Sequence, residues 1–301
     1  MKKIESVYLG IDQPEDAIQS AIKSLKADAY IASVIQSLSL SEEEIQQHLS
    51  TLLHMQEDHQ EIAQCMYQKT CIKPKGHYEV TLKRNAGGYL ERHMAPCPML
   101  ASQLTIHQYL LYDDFPDTWK DGALFLDVGK RQHRVELSKI LNQYLLRFST
   151  IKTKNMYVFG PPRTGKSFSL ATFAYKFALN EVGTIGVIEA PSFSQRLLDL
   201  SNNEPTVFTR EIDQLKRLDI LIIDRLGDES VLDKSRDQVW IPLLQDRLHQ
   251  QKATMIISSF SLEDLLTLYT VFPNQKPKAK QFIELIKTFE YQLFIPPATP
   301  L

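Results

Sequence analysis

The residues best equipped for chemistry lie in two short stretches. The first runs Gly160, Pro161, Pro162, Arg163, Thr164, Gly165, Lys166, Ser167: a glycine, four intervening residues, then Gly-Lys-Ser. That spacing lets a loop wrap so closely that successive backbone N–H groups point at phosphate oxygens. Lys166 adds positive charge near the β- and γ-phosphates, and Ser167 offers a hydroxyl to Mg²⁺. Phe168 follows in the first turn of the predicted helix, whose N-terminus favours the anion. The second stretch, LDILIID, is an apolar strand that ends on Asp224, a carboxylate suited to the Mg²⁺ shell. Together these residues can hold ATP or ADP with Mg²⁺. A chance glycine turn and an ordinary strand-end aspartate are the competing readings, and the strand–loop–helix setting argues against them.

Immediately after Asp224 comes Arg225, where an NTPase usually carries a carboxylate that orients the attacking water. A cation cannot take a proton there. Two carboxylates lie just beyond Gly227, Asp228 and Glu229, and Glu229 joins Asp224 as the candidate catalytic pair. A third set, Cys65, Cys71, His77 and Cys97, has the donor types of a tetrahedral Zn²⁺ site, with His93 as an alternative to His77. Its spacing departs from the usual C-x₂₋₄-C start, and the other reading is three small buried hydrophobes beside solvated histidines. Lys276, Lys278 and Lys280 either touch phosphates of single-stranded DNA or form a solvated face. Trp119 and Trp240 read as packing residues. Arg236 and Arg247 read as surface or interface cations.

These residues need elements to hold them. From Pro14 to about Gln60 the pattern is helical, with Ala17, Ile18, Ala21, Ile22 and Leu25 on one stripe. Ser41 and Glu44 make a capping box for a second helix. Cys, Pro and Gly then punctuate residues 65 to 100 around the strand-like YEVTL and the turn-prone RNAGG, and YDDFPDTWKDG reads as a connection. From Val135 onward helices alternate with apolar strands: MYVFG, IGVIEA, LDILIID, ATMIISS and YQLFI. The expected fold is therefore α/β, a parallel five-stranded sheet in a nucleotide-binding domain at 126–301. A linker at 106–125 joins it to a small, mostly helical N-terminal domain at 1–105.

The chain carries 34 Lys+Arg against 36 Asp+Glu, so a net charge of −2 supplies no global attraction for nucleic acid. Three cysteines are an odd number and no secreted disulfide framework. The opening MKKIESVYLG lacks an apolar core segment, and no apolar run is long enough to span a bilayer. A cytoplasmic protein without a membrane partner is expected.

The succession YVFGPPRTGKSF, APSFSQRL, LDILIIDRLGDES, SRDQVWIPLLQDRL and AKQFIELI resembles the AAA+ domain of the bacterial DnaI/DnaC-type replicative helicase loaders. The resemblance covers roughly Phe115 to Ile295, and KPKGHYEVTL is similar to the N-terminal domain of the DnaI form. It implies an N-terminal domain that grips the hexameric replicative helicase, and an AAA+ domain that binds ATP and single-stranded DNA. Other primosome proteins and a homo-oligomer are further implied partners. The departures all fall on the hydrolysis side: Arg225 replaces a second acid, Ser259 a sensor asparagine, and Gln281 and Leu285 the paired arginines that include an intersubunit finger. A finger contributes about 10³ to 10⁵ in rate, and a positioned base about 10² to 10⁴. The resemblance thus implies a loader that binds nucleotide and hydrolyses it weakly or not at all. A transposition-helper ATPase and a non-enzymatic adaptor on an inactive P-loop domain are the alternatives. The N-terminal domain of about a hundred residues speaks against the former.

Overall fold

The computed structural model describes residues 14–68, 78–116, 119, 135–148, 155–270 and 273–297. They fall into two compact units that divide between Gln103 and Leu104.

The first unit packs helices Pro14–Ala27, Ala29–Leu38, Glu42–Gln47 and Leu49–Gln68 with a hairpin of β1 (Tyr78–Arg84) and β2 (Leu90–Pro96). Ile22, Leu25, Ile31, Ile45, Leu52 and Met55 form its core, and alternation along β1 adds Val80 and Leu82 from one face of the hairpin. Ser41 and Glu44 do form a reciprocal capping box. The helix that it starts is only six residues long, because the chain breaks at His48 and a new helix begins at Leu49.

The second unit is a parallel sheet covered on both faces. Its strands are β3 (Leu110–Asp113), β4 (Met156–Phe159), β5 (Ile185–Glu189), β6 (Ile220–Asp224), β7 (Ala253–Ser258) and β8 (Tyr291–Phe294). They lie in the order β3-β5-β6-β7-β4-β8, all parallel. The sheet has six strands where five were expected. The extra edge strand, β3, comes from the stretch 106–125 read as a linker. It is four residues long, slips register between Leu110 and Tyr112 and follows helix Pro98–Tyr109 without a break, so no turn signal marks it off in the sequence.

Burial on both faces follows from alternation within each strand. Met156, Val158, Val187, Ile222 and Met255 pack with Leu141, Leu170, Phe173 and Phe177 on one side. Tyr157, Ile188, Leu221, Ile223 and Ile256 pack with Leu197, Trp240, Leu244 and Phe282 on the other. From β4 the chain crosses beneath β7 and β6 to reach β5, while β8 lies on the opposite side of β4. That reversal of direction opens a crevice at the carboxyl ends of the strands, where the phosphate loop sits.

The stretch SRDQVWIPLLQDRLH is not one regular α-helix. Ser235–Trp240 is wound as a π-helix, with Ile241 N–H bonded to Arg236 O, and Ile241–His249 continues as α. Pro242 explains the change: it has no N–H to donate, and its ring would crowd the carbonyl four residues back, Gln238.

Arg236 and Arg247, expected at a surface, are fully buried. Arg247 lies beneath the C-terminal end of helix Pro205–Arg217. Its guanidinium donates to the carbonyls of Leu215 (2.5 Å), Leu218 (3.0 Å) and Ala253, and to Thr254 Oγ1 (3.0 Å). One cation thus satisfies the orphan carbonyls of a helix end and the start of β7. Replacing it strands several buried acceptors at once, so Arg247→Met is expected to lower unfolding free energy by about 3 kcal/mol in urea titration, and Arg247→Lys to recover less than half of that loss.

Candidate functional site

The loop after β4 is shaped by backbone conformations that its sequence permits. Gly160 has φ +142, and a Cβ there would collide with the Ile295 carbonyl, where the end of β8 pairs with Phe159. Gly165, at φ +81, turns the chain into helix Lys166–Leu179. Lys166 is buried, and its ammonium donates to the carbonyls of Gly160 and Pro161, both at 2.7 Å, and to Thr164 Oγ1 at 3.3 Å. Burial holds its pKa below the usual lysine range, with the charge of Asp224 opposing that shift.

Across the crevice Ser167 Oγ donates to Asp224 Oδ1 at 3.0 Å. The Arg225 N–H reaches the same oxygen at 2.9 Å. Burial pushes the Asp224 carboxyl above the ordinary aspartate value in spite of these two bonds. A carboxylate held where its charge is penalised, next to a hydroxyl at the start of a helix, is a hard-oxygen donor set that a divalent cation would relieve. The residues therefore fit Mg²⁺, held between Ser167 and Asp224. The ion would neutralise phosphate charge there. The sequence-derived cradle of Gly160, Pro161, Pro162, Arg163, Thr164, Gly165, Lys166 and Ser167 is brought together with Asp224. Phe168 turns the other way, its ring edge-to-face with Trp119 at 5.4 Å.

Arg225 does not stand free beside this site. Its backbone is left-handed, at φ +61, and its side chain reaches Glu189 Oε1 at 2.5 Å and Asp228 Oδ2 at 3.2 Å. Glu189 ends β5 and lies in register with Asp224. Ser192 Oγ holds its other oxygen at 3.0 Å. Sequence reasoning missed Glu189. The signal was its place as the last residue of an apolar strand, the same place that Asp224 has in β6.

The structure places Glu229 away from open solvent. It is 5% exposed, and its carboxylate accepts from Gly227 N–H (2.8 Å), Trp240 Nε1–H (2.7 Å) and the Tyr269 hydroxyl (3.3 Å to each oxygen). Burial raises its pKa. With both oxygens engaged inside the protein it anchors the loop after β6 to the second core. Ser259 is exposed. Gln281 is half-buried, and Leu285 packs against the apolar core, so neither supplies a cation. Lys276, Lys278 and Lys280 are exposed along helix Lys276–Lys287.

Of the four sulfur and imidazole donors, Cys71 and His77 lie outside the described residues. Cys65 and Cys97 are buried free thiols, and His93 is an exposed residue of β2 near Glu91. No group of three or more His, Cys, Asp or Glu able to hold a metal occurs among the described residues. Among them, too, no helix is long and apolar enough to cross a membrane.

No family model matches the chain. It is similar to the replicative helicase loader DnaI of Bacillus subtilis (strain 168), 24% identical over 229 residues, which make up 75% of this chain and 73% of that one. Among solved structures it resembles a Streptococcus pyogenes serotype M3 protein described as a candidate primosome component, with a TM-score of 0.53 and 22% identity over 66% of this chain and 99% of that one. It also resembles DnaI, with a TM-score of 0.50 and 24% identity over 60% and 95% of the two chains. The structural likenesses are likenesses of fold. The resemblance to DnaI/DnaC-type loaders carried by short motifs is thus found again across most of the chain, and the parallel sheet with its phosphate loop shares the fold of these structures.

The Asp224 geometry generates an opposed pair of effects. Its folded-state pKa lies above the unfolded value, so the ionised form costs stability at neutral pH, a cost relieved as pH falls through the folded pKa. Asp224→Asn is expected to raise the urea midpoint of the nucleotide-free protein at pH 7. In Mg²⁺-dependent nucleotide titrations the same variant is expected to bind roughly 10-fold more weakly.

Proposed function

We propose that this chain is a replicative helicase loader that binds ATP or ADP with Mg²⁺ and hydrolyses it slowly or not at all. In this reading the segment 1–105 takes the hexameric replicative helicase and 126–301 takes the nucleotide. The AAA+ domain also contacts single-stranded DNA, and the complex works in the cytoplasm with other primosome proteins and with further copies of this chain. The observation that carries it is the division of labour at the site. Lys166, Ser167 and Asp224 are assembled as a cradle, whereas Asp228 and Glu229, the carboxylates nearest in sequence, are engaged by Arg225 and by Trp240 with Tyr269. Similarity to the Bacillus subtilis loader supplies the partner.

Mechanistically, the loop N–H groups and the N-terminus of helix Lys166–Leu179 would orient the phosphate chain, and Lys166 would leave its carbonyl partners for phosphate oxygens. Nothing in these steps requires turnover. The free energy of binding can itself shift the protein between partner-binding states, by as much as its affinity differs between them.

The test is retention of a hexameric replicative helicase on immobilised full-length protein, with and without MgATP, beside Lys166→Ala. The expected outcome is helicase capture whose amount changes at least about fivefold with MgATP, a coupling of roughly 1 kcal/mol, and a Lys166→Ala protein that captures helicase but no longer responds. Capture indifferent to nucleotide in both proteins favours a scaffold built on the P-loop fold. Absence of capture removes the loader reading.

A further inference from the structure

The Arg225 side chain is the common partner of two carboxylates that flank Asp224. Its Nη1 meets Glu189 at the end of β5, and its Nε meets Asp228 on the following loop. Glu189 and Asp224 are register partners on adjacent parallel strands, so their Cα atoms are about 5 Å apart and their side chains leave the same face of the sheet. Asp224 touches Ser167, the first hydroxyl of the phosphate-binding helix. Glu189 is therefore one strand spacing from the group that faces the metal and the phosphates, and its backbone is fixed there by Asp114, which accepts the Glu189 N–H at 3.1 Å. The Glu189 carboxylate has one oxygen on Arg225 and the other on Ser192.

We infer that Arg225 is a brake on ATP hydrolysis, holding Glu189 and Asp228 in ion pairs, and that Glu189 is the carboxylate it keeps from the attacking water. Arg225 is a positioning residue in this role. When Glu189 is released, it takes a proton from water as the water oxygen bonds to the γ-phosphorus. The bond from that phosphorus to the bridging oxygen breaks, and ADP leaves with the electron pair. Atoms and charges balance with no further reactant. The fork of the guanidinium suits a clamp on two carboxylates, because it presents several fixed donors where an ammonium presents one point charge. The left-handed backbone at Arg225 aims the side chain across β5, and its N–H stays on Asp224. This inference rests on nucleotide binding as proposed above.

The experiment compares wild type, Arg225→Asn, Arg225→Lys and the double variant Arg225→Asn with Glu189→Gln, all as full-length protein. Asparagine tolerates the left-handed backbone, so the substitution removes the charge without straining the turn. In nucleotide-free protein, labelling of Glu189 by a water-soluble carbodiimide and an amine, read by mass spectrometry, is expected to rise several-fold in Arg225→Asn. With MgATP, kcat is expected to rise about 10-fold or more while the Kd for MgATP stays within about twofold. The double variant is expected to return to the wild-type rate, and Arg225→Lys to fall between wild type and Arg225→Asn. An unchanged kcat in Arg225→Asn at preserved nucleotide affinity, or a gain that survives Glu189→Gln, overturns the inference. Unchanged carbodiimide labelling overturns the clamp on Glu189. Failure of the wild type to bind MgATP is a separate result that removes the nucleotide reading, and the brake with it.

Discussion

A single hydrogen bond, Ser167 Oγ to Asp224 Oδ1 at 3.0 Å, joins residues 57 apart in sequence and ties the helix after β4 to the end of β6. It forms only because the strand order places β7 alone between those two strands. The helix that begins at Gly165 can then cross back with its first turn over the carboxyl end of β6. Each buried strand contributes to both cores, so displacing any one of them moves this contact. The hydrogen bond costs little to make, but it holds a carboxylate where burial penalises its charge. The Lys166 amine is engaged with its loop carbonyls and meets Asp224 through its charge alone.

Charge around this contact is arranged differently on its two sides. On the side of the loop after β4, the Lys166 amine is held by the carbonyls of Gly160 and Pro161 and by Thr164 Oγ1. On the β5 side, Glu189 and Asp228 are both paired with Arg225, an exposed clamp whose value for stability is small. Glu229 has turned away altogether. Its bonds to Gly227, Trp240 and Tyr269 tie the β6 loop to the π-wound segment and to the end of helix Leu262–Leu268, so that the loop bearing Arg225 and Asp228 is anchored from behind. The same buried arrangement includes Arg236, which donates to the Tyr269 carbonyl at 2.8 Å.

The phosphate loop, Asp224 and the other five parallel strands were legible in the sequence because each is a local signal: a fixed spacing, or an apolar run bounded by turns. The edge strand β3 was not, since it follows helix Pro98–Tyr109 without a break and runs straight into the polar stretch at Asp113 and Asp114 that reads as a connection. Arg236 and Arg247 were read as surface cations because charge predicts exposure. Their burial depends on carbonyls brought together by tertiary structure, in one case from Leu215, Leu218 and Ala253. Glu229 looked available for catalysis because its nearness to Asp224 in sequence says nothing of Trp240 and Tyr269. Glu189 was passed over for the converse reason: its place at a strand end is legible, but its relation to Asp224 exists only across a strand pair.

The claim at the centre of this account is that the protein holds ATP without cleaving it. The most direct measurement is the fate of bound nucleotide. Stoichiometric full-length protein is mixed with radiolabelled MgATP and quenched in acid at increasing times, and the recovered nucleotide is separated as ATP and ADP. The account predicts that bound nucleotide is recovered as ATP throughout several minutes, with binding lost in Lys166→Ala. Conversion of the bound ATP to ADP at about 1 s⁻¹ or faster, within the ordinary range of enzymes, would contradict it.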